Sequence, residues 1–169
     1  IRMYNMPLLM EKEITTNRII LTNYEIFRAL DDPIRGKIVQ LLHKKQLNVE
    51  QICRRLKKFG YKKAVTTIRH HIEILKNSGL IEISKIEEAR GGITKYYGTS
   101  TKLLDFTLPA DFDKNYSKLI SKTSLKLGKI VGPISKNFSK TRKIQQINYN
   151  NFIIMEIVNR AMTDLLVKK

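Results

Sequence analysis

The chain has 169 residues, with 32 lysines and arginines against 15 aspartates and glutamates and a formal charge of +17 at pH 7. That excess concentrates polyanions at the surface, while 42% hydrophobic residues are enough to bury a core and exclude a wholly disordered chain. No run approaches the roughly 18 apolar residues of a membrane span and no secretory leader pattern is present, so the expected address is the cytoplasm, in association with the nucleoid.

The basic excess is spread along the chain: residues 1 to 105 carry 20 basic and 11 acidic side chains, and 106 to 169 carry 12 and 4. Cys53 is the single cysteine, which excludes an intrachain disulfide and a multi-thiolate metal cage. Its place in an apolar helix face suits packing better than redox chemistry.

The first dozen residues show no sustained period, although Met6, Leu8, Leu9 and Met10 can pack on a partner. Ile19, Ile20 and Leu21 read as a short edge strand. Thr22 or Asn23 then caps a helix beginning near Tyr24, with Ile26, Phe27 and Leu30 on its apolar side and Asp31-Asp32-Pro33 at its end. Pro33 suits the first turn of the next helix, where a missing N–H costs nothing, and Ile34, Ile38, Leu41 and Leu42 give that helix its buried face. A third helix follows Asn48, with Val49, Ile52, Cys53 and Leu56 inward, Arg54, Arg55, Lys57 and Lys58 elsewhere, and Gly60 as its stop. The fourth runs from roughly Lys63 to Asn77, because Val65, Ile68, Ile72 and Leu75 recur at helical spacing and Gly79 supplies the terminating position.

After Gly79 the period changes to two. Leu80, Ile81 and Ile83 lead into Lys85-Ile86, residues 87 to 92 form a charged turn ending in Gly91-Gly92, and Ile93, Lys95, Tyr96, Tyr97 and Thr99 return as a second strand. Helices followed by a hairpin with a basic, glycine-containing tip are the order of a winged helix. Tyr96 and Tyr97 alternate across the strand, so one belongs to the core.

Residues 102 to 108 read as a connector. Asp111 or Asp113 can cap a helix with Phe112, Tyr116, Leu119, Thr123, Leu127 and Ile130 on one face and Lys114, Lys118, Lys122, Lys126 and Lys129 on the other, with Leu125 out of place among the lysines. Gly132-Pro133 should break it. A last helix, about Ile147 to Val167, carries an apolar stripe of Ile147, Ile154, Val158, Ala161 and Leu165, widened by Phe152, Met155, Ile157, Met162 and Leu166. A stripe that wide asks for cover on two sides, one of them a second chain.

Reading the major groove needs a helix held by another across the phosphate backbone, and the segment from Val49 to Ser100 supplies both. The outer side of the fourth helix offers Lys62, Lys63, Thr66, Arg69, His70 and Glu73. The two lysines at its start suit phosphate, Arg69 can bond guanine O6 and N7 in bidentate fashion, and Thr66 can touch a thymine methyl or a phosphate. Arg54 on the third helix adds a cation, and Arg90, with Gly91 beside it and Lys95 behind it, is the expected wing contact to the adjacent minor groove or its phosphates. The bland alternative is the solvated face of a core helix. His70 and His71 diverge by about 100 degrees on a helix and cannot easily share one ion, so no metal site is expected; one histidine is expected to touch DNA, the alternative being packing near Leu75 and Leu80. No grouping of nucleophile, base and acid appears, and neither catalytic residues nor a cofactor site is expected.

The stretches ALDDPIRGKIVQLL, TTIRHHIEILKNSGLIEI and EEARGGITKYY, between Phe27 and Gly98, resemble the arsenic-repressor-type (ArsR-like) winged-helix transcription regulators, particularly archaeal ones. The resemblance implies operator binding as a symmetric dimer, with Ala64, Val65, Thr66, Arg69 and His70 facing the groove and Arg90 to Gly92 at the wing tip. Two departures stand out. The turn KKFGYKKAV is longer than the family's, and Cys53 is alone where metal-sensing members cluster cysteines.

The expected fold is therefore mainly α with a small β-hairpin wing: a winged helix-turn-helix domain with an N-terminal arm over residues 1–105 and a helical extension over 106–169. The expected function is a homodimeric, sequence-specific regulator of transcription on double-stranded DNA, not an enzyme, paired through Ile154, Val158, Ala161 and Leu165. A small-molecule effector is compatible with this reading, and no residue identifies one. An architectural DNA binder of low specificity and a winged helix used for protein–protein contact are the alternatives.

Overall fold

A computed structural model describes residues 19, 21–89, 91–138 and 144–167. Packing divides them into two units, one spanning residues 22–138 and one that holds the last helix.

In the first unit four helices are stacked before a hairpin. Helix α1, Tyr24–Leu30, is capped by Asn23, whose Oδ1 accepts from the Ile26 N–H at 2.8 Å. Helix α2, Pro33–Leu42, has Pro33 in its first turn, and Asp32 Oδ1 accepts from the Ile34 N–H at 2.8 Å. Asp32 thus does more than end α1: it starts α2. Helix α3, Val49–Lys58, opens with a reciprocal capping box, in which Gln51 N–H donates to Asn48 Oδ1 (2.9 Å) and Asn48 N–H to Gln51 Oε1 (3.0 Å).

Helices α3 and α4 (Val65–Asn77) stop by the same device. Tyr61 N–H donates to Leu56 O and Gly60 N–H to Lys57 O, both at 3.1 Å; Leu80 N–H and Gly79 N–H do the same to Leu75 O and Lys76 O. This geometry requires a left-handed residue, supplied by Gly60 (φ +86°) and Gly79 (φ +76°). The extra residues of the KKFGYKKAV segment therefore enlarge the turn and do not lengthen α3. They also delay α4, which begins at Val65 and not at Lys63, so Lys62 and Lys63 lie in the preceding loop.

The core gathers one side of each of these helices. Ile38, Val39, Leu42, Ile52, Leu56, Ile68, Ile72 and Leu75 are at most 1% exposed, and each leucine or isoleucine so buried contributes about 1.5 to 3 kcal/mol. Cys53 belongs to this cluster, and burial, followed by the Glu50 carboxylate, pushes its thiol pKa up, which suits an inert packing role.

Strands β1 (Glu82–Ala89) and β2 (Gly92–Gly98) form an antiparallel hairpin in which Glu87 pairs with Thr94, Glu88 with Ile93 and Ala89 with Gly92. The strands thus continue into the segment expected as a turn, because pairing extends the ladder until only Arg90 and Gly91 separate them; Gly91 (φ +89°) is left-handed. Tyr97, buried at 6%, is the tyrosine that joins the core. It exchanges two backbone hydrogen bonds with Leu47, at 2.9 and 3.1 Å, while Thr99 Oγ1 donates to Leu80 O at 2.6 Å. The first two bonds tie the wing to the loop before α3, and the third ties it to the segment that follows α4.

Ile19 and Leu21 are not in a strand, and Ile20 lies outside the described residues. No strand among the described residues pairs with Ile19 or Leu21, so neither joins a ladder. Met6, Leu8, Leu9 and Met10 lie outside the described residues.

Helix α5, Phe112–Phe138, runs through Gly132-Pro133 instead of breaking there. Proline removes the one donor that would serve the Lys129 carbonyl, and Lys129 is exposed, so water can take its place. Residues 113–130 of α5 are exposed on every side. In the second unit, helix α6 is Ile144–Val167, starting one turn before Ile147. Asn150 is buried, Ile153, Ile154, Met155 and Val158 are half-buried, and residues 159–167 are exposed.

Candidate nucleic-acid interface

The face of α4 turned from the core is built by spacing. Ile68, His71, Ile72 and Leu75 are buried; at about 100 degrees per residue the opposite side must carry Val65, Thr66, Arg69, His70 and Glu73. All five are exposed, as are Lys62, Lys63 and Ala64 in the loop before them. Ala64 occupies the N-cap and no side chain caps the helix. Its first-turn N–H groups stay available to an outside acceptor, beside two lysines.

Arg69 is not idle in this face. Its Nη2 lies 3.9 Å from Glu50 Oε1 on α3, and the two side chains are 63% and 58% exposed. An exposed pair of this kind is weak, so the guanidinium is held in place and can still exchange its partner. Far apart in sequence, Glu50 and Arg69 give no spacing signal for this contact; the packing of α3 on α4 creates it. Lys76 is likewise paired, at 2.6 Å, with Glu73.

The adjacent histidines separate as helical geometry demands. His70 is exposed, whereas His71 is 7% exposed on the inner side. Its Nδ1 is 3.4 Å from Arg35 Nη1, and its Nε2 is 3.9 Å from Asp32 Oδ2. Arg35 is anchored by donating from Nε to Ala29 O and from Nη2 to Arg28 O. Burial lowers the His71 pKa from its usual 6.5; Asp32 opposes the shift, and Arg35, His70 and Lys63 add to it. His71 is thus a neutral bridge from α4 to the start of α2.

On the wing, Lys95 is exposed and pairs with Ile86. Ile86 and Ile93 are 57% and 61% exposed, so this surface offers apolar contact as well as charge. Lys85 forms an ion pair with Glu87 and lies over the Tyr96 ring at 5.3 Å. Arg90 lies outside the described residues; Gly91 is exposed. Arg54 is exposed on α3, one turn beyond Glu50, and also lines a groove with Leu41 and Phe59. The fold therefore brings Val65, Thr66, Arg69 and His70 onto one face, puts Lys62 and Lys63 at its leading edge, and leaves Arg54, Gly91 and Lys95 on neighbouring elements.

Residues 30–84 match the family described as helix-turn-helix domain. In this helix-turn-helix domain α3 and α4 are the helix pair, and the hairpin that follows completes a winged helix-turn-helix fold. Seven solved chains match. One is the solution structure of a homodimeric winged helix-turn-helix DNA-binding domain, Mb0332 from Mycobacterium bovis, described as a possible ArsR-family transcriptional regulator: 20% identical, covering 62% of this chain and 80% of that one, TM-score 0.35. Another is an ArsR-like transcriptional regulator from Rhodococcus sp. RHA1: 17% identical, covering 70% and 91%, TM-score 0.34. No curated protein matches the chain.

Among the described residues no group of histidine, cysteine, aspartate or glutamate is arranged to hold a metal ion, and no helix is long and apolar enough to cross a membrane.

Proposed function

We propose that this protein is a DNA-binding regulator of transcription of the ArsR-like, archaeal kind, reading double-stranded DNA in a sequence-specific manner as a homodimer in the cytoplasm at the nucleoid. The observation that carries the reading is the exposed face of α4 within a matched helix-turn-helix domain, with Val65, Thr66, Arg69 and His70 together and Lys62 and Lys63 at its start. Base edges are read by Arg69, which exchanges Glu50 for guanine, and by Thr66 and His70. The lysines and the uncapped N-terminus of α4 hold phosphate, while Arg54 and the wing residues Arg90, Gly91 and Lys95 hold the flanking backbone. No step of this function calls for catalysis.

Dimerisation is assigned to the extension over 106–169, through Ile154, Val158, Ala161 and Leu165. The support is apolar surface left uncovered: Leu165 and Leu166 are each 66% exposed, and Ile157 and Met162 are 44% and 46% exposed. Two-fold pairing covers such a surface with one patch and holds two reading helices at a fixed separation.

Selection of bound fragments from random duplex DNA, followed by sequencing, tests the reading. A palindrome with half-sites one helical turn apart, or a multiple of it, is the expected result. Recovery of fragments without a shared sequence would assign the protein to architectural binding, and recovery no better than without protein would remove DNA as the partner.

A further inference from the structure

A groove of about 500 Å³ lies between the end of α2 and the outer side of α3, with Leu41 and Phe59 as its apolar lining and Lys45, Arg54, Arg55 and Lys58 around them. It contains no acidic residue. None of these four cations is in an ion pair among the described residues, in contrast to Arg69 and Lys76 on α4, which both hold carboxylates. Phe59 is 54% exposed although it follows directly on α3, and Lys37 lies 4.0 Å over its ring. Exposed phenylalanine and arginine are residue types enriched at protein interfaces.

The position of the groove sets it apart from the reading face. Glu50, which meets Arg69, marks the flank of α3 next to α4. At about 100 degrees per residue, Arg55 is turned some 140 degrees from Glu50 and Lys58 some 80 degrees, toward Leu41 and Lys45 of the α2 end. A partner seated on Arg55, Lys58 and Phe59 therefore leaves Val65, Thr66, Arg69 and His70 uncovered.

From the convergence of unpaired cations on an exposed phenylalanine and a half-buried leucine, we propose that this groove docks an acidic segment of another protein, one that alternates carboxylates with at least one bulky apolar side chain. The apolar anchor enters between Leu41 and Phe59, and the carboxylates meet Lys45, Arg55 and Lys58, with Arg55 giving a bidentate pair; Arg54, about 40 degrees from Glu50, stays at the edge toward α4. An open groove suits an extended segment laid across it better than a small molecule, which needs most of its surface enclosed. Duplex DNA satisfies the cations but has no side chain for the apolar floor. The inference stands whether or not α4 reads DNA, since it uses a different side of α3.

The test uses the full chain and a fluorescein-labelled synthetic peptide of about 15 residues that alternates glutamate and aspartate with leucine and phenylalanine, followed by anisotropy. A second peptide of equal charge has serine at the apolar positions. Saturable binding of the first peptide, at least about fivefold tighter than the second, is expected. The double substitution Arg55→Glu with Lys58→Glu should weaken it more than tenfold, and Phe59→Ser should erase the preference between the two peptides. Each variant should keep its thermal midpoint and its affinity for duplex DNA within about twofold. Lys114→Glu with Lys118→Glu, which makes the same change in net charge on α5, should leave peptide binding within twofold. Equal losses from both charge reversals would reduce the effect to net charge and overturn the proposal. So would unchanged peptide binding in Arg55→Glu, Lys58→Glu, or a parallel loss of DNA affinity there, which would make the groove a phosphate contact. If a reversal variant fails to fold, Arg55→Gln and Phe59→Ser alone supply the same readings.

Discussion

Arg69 of α4 and Glu50 of α3 face each other at 3.9 Å, more than half exposed, so the residue expected to read a base is already held by a carboxylate. Replacing Arg69 with alanine should lower affinity for the selected site by about 1 to 3 kcal/mol and relax preference at one base position in each half-site. Replacing Glu50 with glutamine removes a negative charge from the edge of the reading face and should raise affinity for random duplex more than for the selected site. Fluorescence titration on both duplexes measures this; equal loss on the two after Arg69→Ala would move Arg69 from base to phosphate.

Salt dependence tests the extent of phosphate contact. A dimer that neutralises roughly 6 to 10 phosphates should show log affinity falling against log salt with a slope of about −5 to −9. A slope near −1 would sink the extended interface. Charge reversal at Lys114, Lys118 and Lys122, all exposed on α5, changes this slope if the lysine face lies along the duplex and leaves it alone if that face meets only water.

His71 makes stability depend on pH. Its pKa is held below the usual 6.5, chiefly by burial, so the folded protein resists a proton that the unfolded chain accepts. The stabilisation is complete above pH 6.5 and is lost as the pH falls below it, until the folded pKa is reached, at no more than about 1.4 kcal/mol per pH unit for one proton. The thermal midpoint should therefore drop between pH 7 and pH 5.5, and His71→Gln should flatten that slope. An identical slope in the variant would mean that other groups carry it.

The α3 capping box offers a test of local structure. With Asn48 both accepting from and donating to Gln51, Asn48→Ala should cost about 1 to 2 kcal/mol in chemical denaturation. Because Leu47, next to it, is bonded to Tyr97 of the wing, hydrogen exchange should also quicken at Tyr97. Unchanged protection there would separate the cap from the wing.

Exposed apolar residues on α6 lead to a prediction of mass. Lysine at both Val158 and Leu165 should give monomers in sedimentation velocity that keep a folded helix-turn-helix domain and bind a half-site weakly. An intact dimer with intact site binding would place the interface elsewhere, on the Ile19 to Leu30 segment.

The sequence by itself determined the features whose causes are local. Apolar spacing drew α2, α3 and α4; Asn48 with Gln51, and Gly60 and Gly79, marked ends that short-range hydrogen bonds enforce; the change to a period of two after Gly79 announced the hairpin. Where local signals compete, they misled: Gly132-Pro133 is a strong breaker, yet one lost hydrogen bond on an exposed helix is too little to end α5, and Ile19 and Leu21 join no strand because none of the described strands lies beside them. The tertiary structure alone decided what the inward histidine meets, because the place of α2 against α4 puts Asp32 and Arg35 beside His71. It also decided the Glu50–Arg69 contact, the anchoring of Tyr97 on Leu47 and the gathering of Lys45, Arg54, Arg55 and Lys58 around Phe59. Each of these joins residues from separate elements, and a helical period states which side of a helix is buried but not which residue of the next element will meet it.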